Sequence, residues 1–174
     1  MVCAAILAAA VAARAADRAL DEYQVKAAYL YNFAKFVEWP AAAFAAPDAP
    51  LVIGVFGEDP FGPALDELVR DKTVKGRRCV VRRSVRMRDL RSSHIVFIGA
   101  SPEPVAQALR ELEGASVLTV GESPRLLDEG GIVLFSVDGG RVAFTVHVGA
   151  AARARLTISS QLLRLARVTG LPKP

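Results

Sequence analysis

Two cysteines and two histidines are all that 174 residues contain. Cys3 stands near the start, and Cys79 is the one cysteine in the remainder. So few soft ligands argue against a cysteine–histidine zinc cluster, and Cys79 has no internal disulfide partner once the leader is gone. Set in an apolar-basic strand pattern, it reads as a buried thiol. Gly54-Val55-Phe56-Gly57 lacks the G-x-G-x-x-G spacing, no G-K-[ST] occurs, and no serine sits in G-x-S-x-G. Dinucleotide, P-loop and hydrolase readings lose their motifs. A phosphorelay receiver needs an aspartate where the central strand ends, and the chain has Phe97-Ile98-Gly99 there. The two histidines, His94 and His147, both fall inside strand patterns, and Ser159-Ser160 fall mid-helix. No catalytic residue, metal or cofactor is assigned.

Long apolar runs are also missing. Val2 to Ala13 is the first such run, and at about a dozen residues it is too short to span a bilayer. Ala13-Arg14-Ala15 then fits the small-x-small rule of signal peptidase. Residues 1–15 are expected to be a cleaved secretory signal and residues 16–170 one exported domain, periplasmic in location. Cys3 lies too close to Met1 for a lipoprotein signal. Apolar residues make up 52% and charged residues 23%, which predicts a packed core.

Several runs read as buried strands bounded by turn residues: Leu51 to Gly57, His94 to Ala100 and Ser116 to Glu122. Arg77 to Val85 reads as a further strand. Helical patterns separate them, one after Pro60 and one from Ser101 to Gly114 with a serine cap. Two strands around Asp138-Gly139-Gly140 form a hairpin. Ala151 to Gly170 is expected to be a final helix. The alternation predicts an α/β fold: a three-layer sandwich whose mostly parallel sheet has about six strands, with a C-terminal antiparallel hairpin and helices on both faces.

What the sequence has in abundance is aromatic surface in one place. Tyr23 to Pro40 holds all three tyrosines, the tryptophan and two of eight phenylalanines. The expected helix from Asp17 to Glu38 has one apolar stripe of Val25, Ala28, Tyr29, Phe33 and Phe36, and another of Tyr23, Ala27, Leu30, Ala34 and Val37. A helix apolar on both sides needs cover on both. The sheet takes one side; the final helix, a second subunit or a partner takes the other. Candidate partner-binding residues are Tyr23, Lys26, Tyr29, Leu30, Phe33, Phe36 and Trp39.

At the carboxyl ends of the strands, ligands find glycine-lined crevices in this architecture. Gly57, Glu58, Ser101, Gly121 and Glu122 are candidate small-ligand residues there; the same glycines equally suit tight strand-to-helix turns. Arg77 to Arg91 contains seven arginines. They read as the guard of an exposed or edge strand against unwanted pairing, rather than as a nucleic-acid patch. Contact with an acidic protein or membrane surface is a third reading.

KAAYLYNFAKFVEWP resembles the opening signature of YfiR-like proteins, including the HmsC-type members. LVIGVFGEDPFGPAL, GRRCVVRR, HIVFIGAS, SVLTVGES, GGIVLFSVDGGRVAFTVHV and LTISSQLLRLARV are similar to the family's later motifs, so the resemblance runs from about Ala16 to Val168. It implies a non-enzymatic, dimeric periplasmic protein of α/β fold. Such a protein would repress an inner-membrane diguanylate cyclase by binding its periplasmic domain, lowering cyclic-di-GMP. A ligand sensor using the strand edge is the alternative. Three positions depart from the family pattern. Ser93 replaces a common cysteine, His147 replaces an asparagine, and Arg155 replaces a glycine, which implies an ordinary helical conformation at Arg155.

Overall fold

The computed structural model describes residues 20–101 and 103–171, so the expected signal segment lies outside the described residues. Helix α1 spans residues 20–36 and gives way to β1 (Val37–Glu38) just before Trp39-Pro40, where proline disfavours helix. Then follow β2 (Leu51–Phe56), α2 (Pro63–Val69), β3 (Thr73–Val74), β4 (Arg77–Ser84), β5 (Ile95–Ile98), α3 (Val105–Glu111), β6 (Leu118–Gly121), β7 (Val133–Asp138) and β8 (Arg141–His147). The chain closes with α4 (Val148–Arg153), β9 (Thr157–Ile158), α5 (Ser160–Leu163) and β10 (Arg167–Thr169).

Eight strands form the main sheet in the order β10-β8-β7-β6-β5-β2-β4-β3. The run from β4 through β2, β5 and β6 to β7 is parallel, and β8 returns antiparallel to β7. The three-layer α/β sandwich is as expected, with two strands more than expected. The additions are β3 and β10, two and three residues long at the two edges, too short to show as a periodic pattern.

Side chains alternate across the sheet with the period of two. Leu51, Ile53 and Val55, then Ile95 and Phe97, then Leu118 and Val120, face the layer of α1, α2, α4 and α5. Phe56, Val96 and Ile98 face the opposite layer, where Ala108 of α3 and the 3-10 turn Met87–Leu90 cover them. All six residues of β2 are buried, as a strand covered on both faces requires. The hairpin turn has positive φ at Gly139 (57°) and Gly140 (77°), the two-residue geometry whose twist suits paired strands.

Three local expectations are corrected. Helix α3 begins at Val105, with Pro104 and not Ser101 as its N-cap residue, because Ser101 Oγ is engaged by the Glu103 N–H at 3.1 Å. Secondly, Ala151 to Gly170 is not one helix. Helix α4 ends at Arg153, and β-branched Thr157-Ile158 then pair antiparallel with Val37-Glu38 at the end of α1. Ser159 caps the four-residue α5, its Oγ accepting from the Leu162 N–H at 3.2 Å. The cause is the third correction: Arg155 has φ of +58°, the left-handed conformation. The Leu156 N–H reaches the Ala151 carbonyl at 2.9 Å and the Arg155 N–H the Ala152 carbonyl at 2.9 Å, the paired bonds of a Schellman stop. An L-residue in that conformation costs ~1–2 kcal/mol. His147, by contrast, does what an asparagine does: its Nδ1 accepts from the Ala150 N–H at 3.0 Å and caps α4.

Arg155→Gly is expected to be more stable than Arg155→Ala by about 1 kcal/mol, read from chemical-denaturation midpoints. Both variants lose the Arg155 guanidinium bond to the Gly114 carbonyl, so the difference isolates the backbone. Equal midpoints would show that the stop is unstrained.

Candidate functional site

Helix α1 divides its residues sharply. Lys26, Ala27, Leu30, Phe33 and Ala34 are buried, with Leu30 and Phe33 wholly so. Phe33 stacks against Phe135 at 5.8 Å and meets Phe144 edge-on at 5.2 Å, and Tyr29 joins the same group at 5.2 Å from Phe144. The aromatic surplus of the sequence therefore goes first into the chain's own hairpin. Leu30, Phe33 and Lys26 have no surface to offer a second molecule, so these three partner-binding expectations are corrected to interior positions. The sheet and the hairpin together wrap more of α1 than a sheet alone.

What stays open is narrower and lies nearer the start of α1. Val25 is 44% exposed, and across from it Val137 of the hairpin is 52% exposed. With Tyr29, Val142, Glu22 and Arg141 they border a groove of about 770 Å³. Phe36 and Trp39 are half-buried, against the core rather than in this groove. Val25 belonged to the sequence's first apolar stripe, but Val137 and Val142 carry no signal of their own. Strand alternation gives no sign that α1 reaches the hairpin.

Tyr23 and Lys26 join Glu122 instead. The Lys26 ammonium, 3% exposed, lies between the Glu22 and Glu122 carboxylates, and the Tyr23 hydroxyl donates to Glu122 Oε2 at 3.0 Å. Burial acts to lower the Lys26 pKa, but the two carboxylates outweigh it and hold the group above its ordinary range. Burial and the Glu122 charge push the Tyr23 hydroxyl up. The cluster thus unites two sets that sequence reasoning kept apart, a helix face and a strand end. It ties the start of α1 to the loop after β6.

The other strand-end candidates do not converge. Ser101 and Glu122 line a cleft of about 310 Å³, but Gly57 and Glu58 lie outside it. The Gly57 N–H donates to the Ser84 carbonyl at 3.1 Å and the Glu58 N–H to the Ala100 carbonyl at 2.8 Å. A Cβ on Gly57 would come within 2.5 Å of the Ala100 carbonyl oxygen, so this glycine brings two loops together. Gly121 is buried beside Leu126.

Trp39 has an internal role: its indole Nε1 donates to the His94 carbonyl at 3.0 Å. His94 is 3% exposed, stacks on Phe44 at 4.2 Å, and accepts the Val52 N–H on Nδ1 at 3.0 Å. Its Nε2 is buried without a hydrogen-bond partner among the described residues. Burial pushes its pKa down to about 4, opposed by the Ala43 backbone and reinforced by the Arg77 charge. Cys79 is a buried free thiol, its pKa raised by burial.

Two measurements check this electrostatic picture. Lys26→Met leaves two carboxylates facing each other and is expected to cost about 1–3 kcal/mol, a good part of it regained in Lys26→Met/Glu122→Leu. Additive losses would show that the three groups act independently. For His94 the fold favours the neutral ring, so its contribution is complete above about pH 6.5 and declines as pH falls toward 4, by up to roughly 3 kcal/mol. His94→Asn, with Oδ1 in place of Nδ1, is expected to flatten that slope in denaturation at pH 7, 5 and 4.

No curated protein matches the chain. Among solved structures it is similar to a conserved domain protein from Vibrio cholerae O1 biovar El Tor str. N16961, with 16% identity and a TM-score of 0.47. The match covers 68% of this chain and 54% of that one, so this chain spans about half the other's length. The YfiR/HmsC-like family model matches residues 23–167, from the tyrosine of the Lys26 cluster to the start of β10. That family is one of periplasmic, non-catalytic regulatory domains that work with membrane signalling proteins. The chain belongs to the YfiR/HmsC-like family.

Proposed function

We propose that this protein is a non-enzymatic periplasmic regulator that binds the periplasmic domain of an inner-membrane diguanylate cyclase and represses it, lowering cyclic-di-GMP output. The observation that carries the reading is the groove between α1 and the hairpin. A family of regulators needs a surface for its partner, and here apolar side chains from two separate elements stay in water side by side. Leaving a large apolar side chain exposed forgoes ~1.5–3 kcal/mol of burial, which a partner recovers on docking. No helix among the described residues is long and apolar enough to cross a membrane.

Val25, Tyr29, Val137 and Val142 are the contact residues in this reading. Tyr23 and Lys26 fix the helix that presents them, and a cation in the membrane protein's docking surface would meet Asp21 and Glu22 at the rim. A homodimer, which the family pattern implies, uses part of the same apolar strip. The alternative of a ligand sensor draws its support from the smaller cleft at Ser101 and Glu122.

Deleting the gene is expected to raise cyclic-di-GMP several-fold, and the wild-type chain to restore the low level. Val25→Lys/Val137→Lys should stay folded, since both positions are exposed, yet fail to restore it. Unchanged cyclic-di-GMP on deletion, with the protein shown to be expressed, would overturn the cyclase reading. Full rescue by the double variant would move the contact elsewhere. A rise in melting temperature with a periplasmic metabolite, lost in Glu122→Gln, would favour the sensor instead.

A further inference from the structure

At the far end of the sheet from that groove, the chain gathers its positive charge. From Arg70 to Arg91 it has ten basic and two acidic residues, while the whole chain has 22 and 18, so all the remaining sequence is net acidic. The segment builds β4, whose outer neighbour β3 pairs only with Arg77 and Arg78. Beyond that point the edge is open. The Cys79 N–H points outward, to the Lys72 carbonyl at 3.2 Å, and the Ser84 carbonyl points inward, to the Gly57 N–H at 3.1 Å. The period of two then places the N–H and C=O groups of Val81 and Arg83 on the outer side, and among the described residues nothing pairs with them. Next to them Val85 is 77% exposed, the highest value for any large apolar residue described.

The arginines here are not all alike. Arg83 is held by Asp59 and Asp66, Arg77 by the Ala46 and Ala49 carbonyls, and Arg86 by Asp89. Arg78 has no hydrogen-bond or ion-pair partner among the described residues, and Arg82 reaches only the Ser92 hydroxyl at 3.1 Å. Arg78 stands just before the open stretch and Arg82 lies within it. An open strand edge pairs with whatever strand its charge admits. A second copy would bring the same arginines and be repelled. An acidic strand would be drawn in.

We propose that the outer edge of β4 is a second docking site, which takes an extended acidic segment of a protein partner as an added strand, Val81 and Arg83 supplying the backbone pairing and Arg78 and Arg82 the charge. The site is independent of the cyclase reading, because it shares no residue with the groove at α1.

The test uses the full mature chain and a capped heptapeptide that alternates glutamate with valine and threonine. Titration by calorimetry, with backbone amide NMR, should show saturable binding that weakens with salt and shifts the Val81 and Arg83 amides. Its lysine counterpart should not bind. Arg78→Glu/Arg82→Glu is expected to weaken binding about tenfold or more. Val81→Pro, which removes an N–H with no internal partner, should abolish it. A peptide methylated on alternate backbone nitrogens gives the same readout on the unaltered protein, should the proline variant misfold. Absence of binding overturns the proposal. So does equal binding of the methylated peptide, which would mean charge attraction without strand pairing. Binding of phosphatidylglycerol vesicles without the peptide would overturn it in favour of a membrane surface.

Discussion

Phe33 fixes the molecule. It is wholly buried, and its ring stands within 6 Å of Phe135 and Phe144, on the two strands of the hairpin. A helix that lay on the parallel strands alone would leave the hairpin's inner face bare; a hairpin without the helix would expose two phenylalanines. Truncation of such a ring to alanine costs ~3–5 kcal/mol. Because this plug sets how α1 lies across the sheet, it also sets where Lys26 meets Glu122 and where Val25 faces Val137. The groove between α1 and the hairpin is a by-product of how the core is closed.

The ends of α1 are tied by different physics. At its start, one buried ammonium is shared by two carboxylates, a tie that holds only while all three groups are present. At its end, Val37-Glu38 pair with Thr157-Ile158, and the Ser159 N–H reaches the Phe36 carbonyl at 2.9 Å. The two family signatures furthest apart in the sequence, at the first helix and at L-T-I-S-S, thus meet as one small sheet. This is also why Ala151 to Gly170 does not form a helix. Its apolar residues recur at helical spacing, but the left-handed turn at Arg155 breaks the run and frees Thr157-Ile158 to pair.

The sheet's two flanks have opposite character. At the hairpin flank the exposed side chains are valines beside a mixed-charge rim. At the β4 flank they are arginines beside unpaired backbone. As proposed docking surfaces, the first would select by burial of apolar area and the second by charge and strand pairing.

Local rules carried the strands, the hairpin and the layer order, because period-two burial, glycine turns and apolar runs are written into neighbouring residues. The family was legible for the same reason: its motifs are short and collinear. The buried thiol of Cys79 followed from its strand pattern. Three things lay beyond any local reading. Whether Leu30 and Phe33 faced water depended on the hairpin, more than 100 residues away. The pairing of Lys26 with Glu122 needed the helix laid over the end of β6. The backbone at Arg155 needed the Schellman bonds and the pull of β1 on Thr157-Ile158 to hold an arginine where glycine is easier. Sequence determined which residues would seek burial and which elements they would form; tertiary structure alone decided which partners covered them, because burial is shared between elements and no element carries a record of its neighbour.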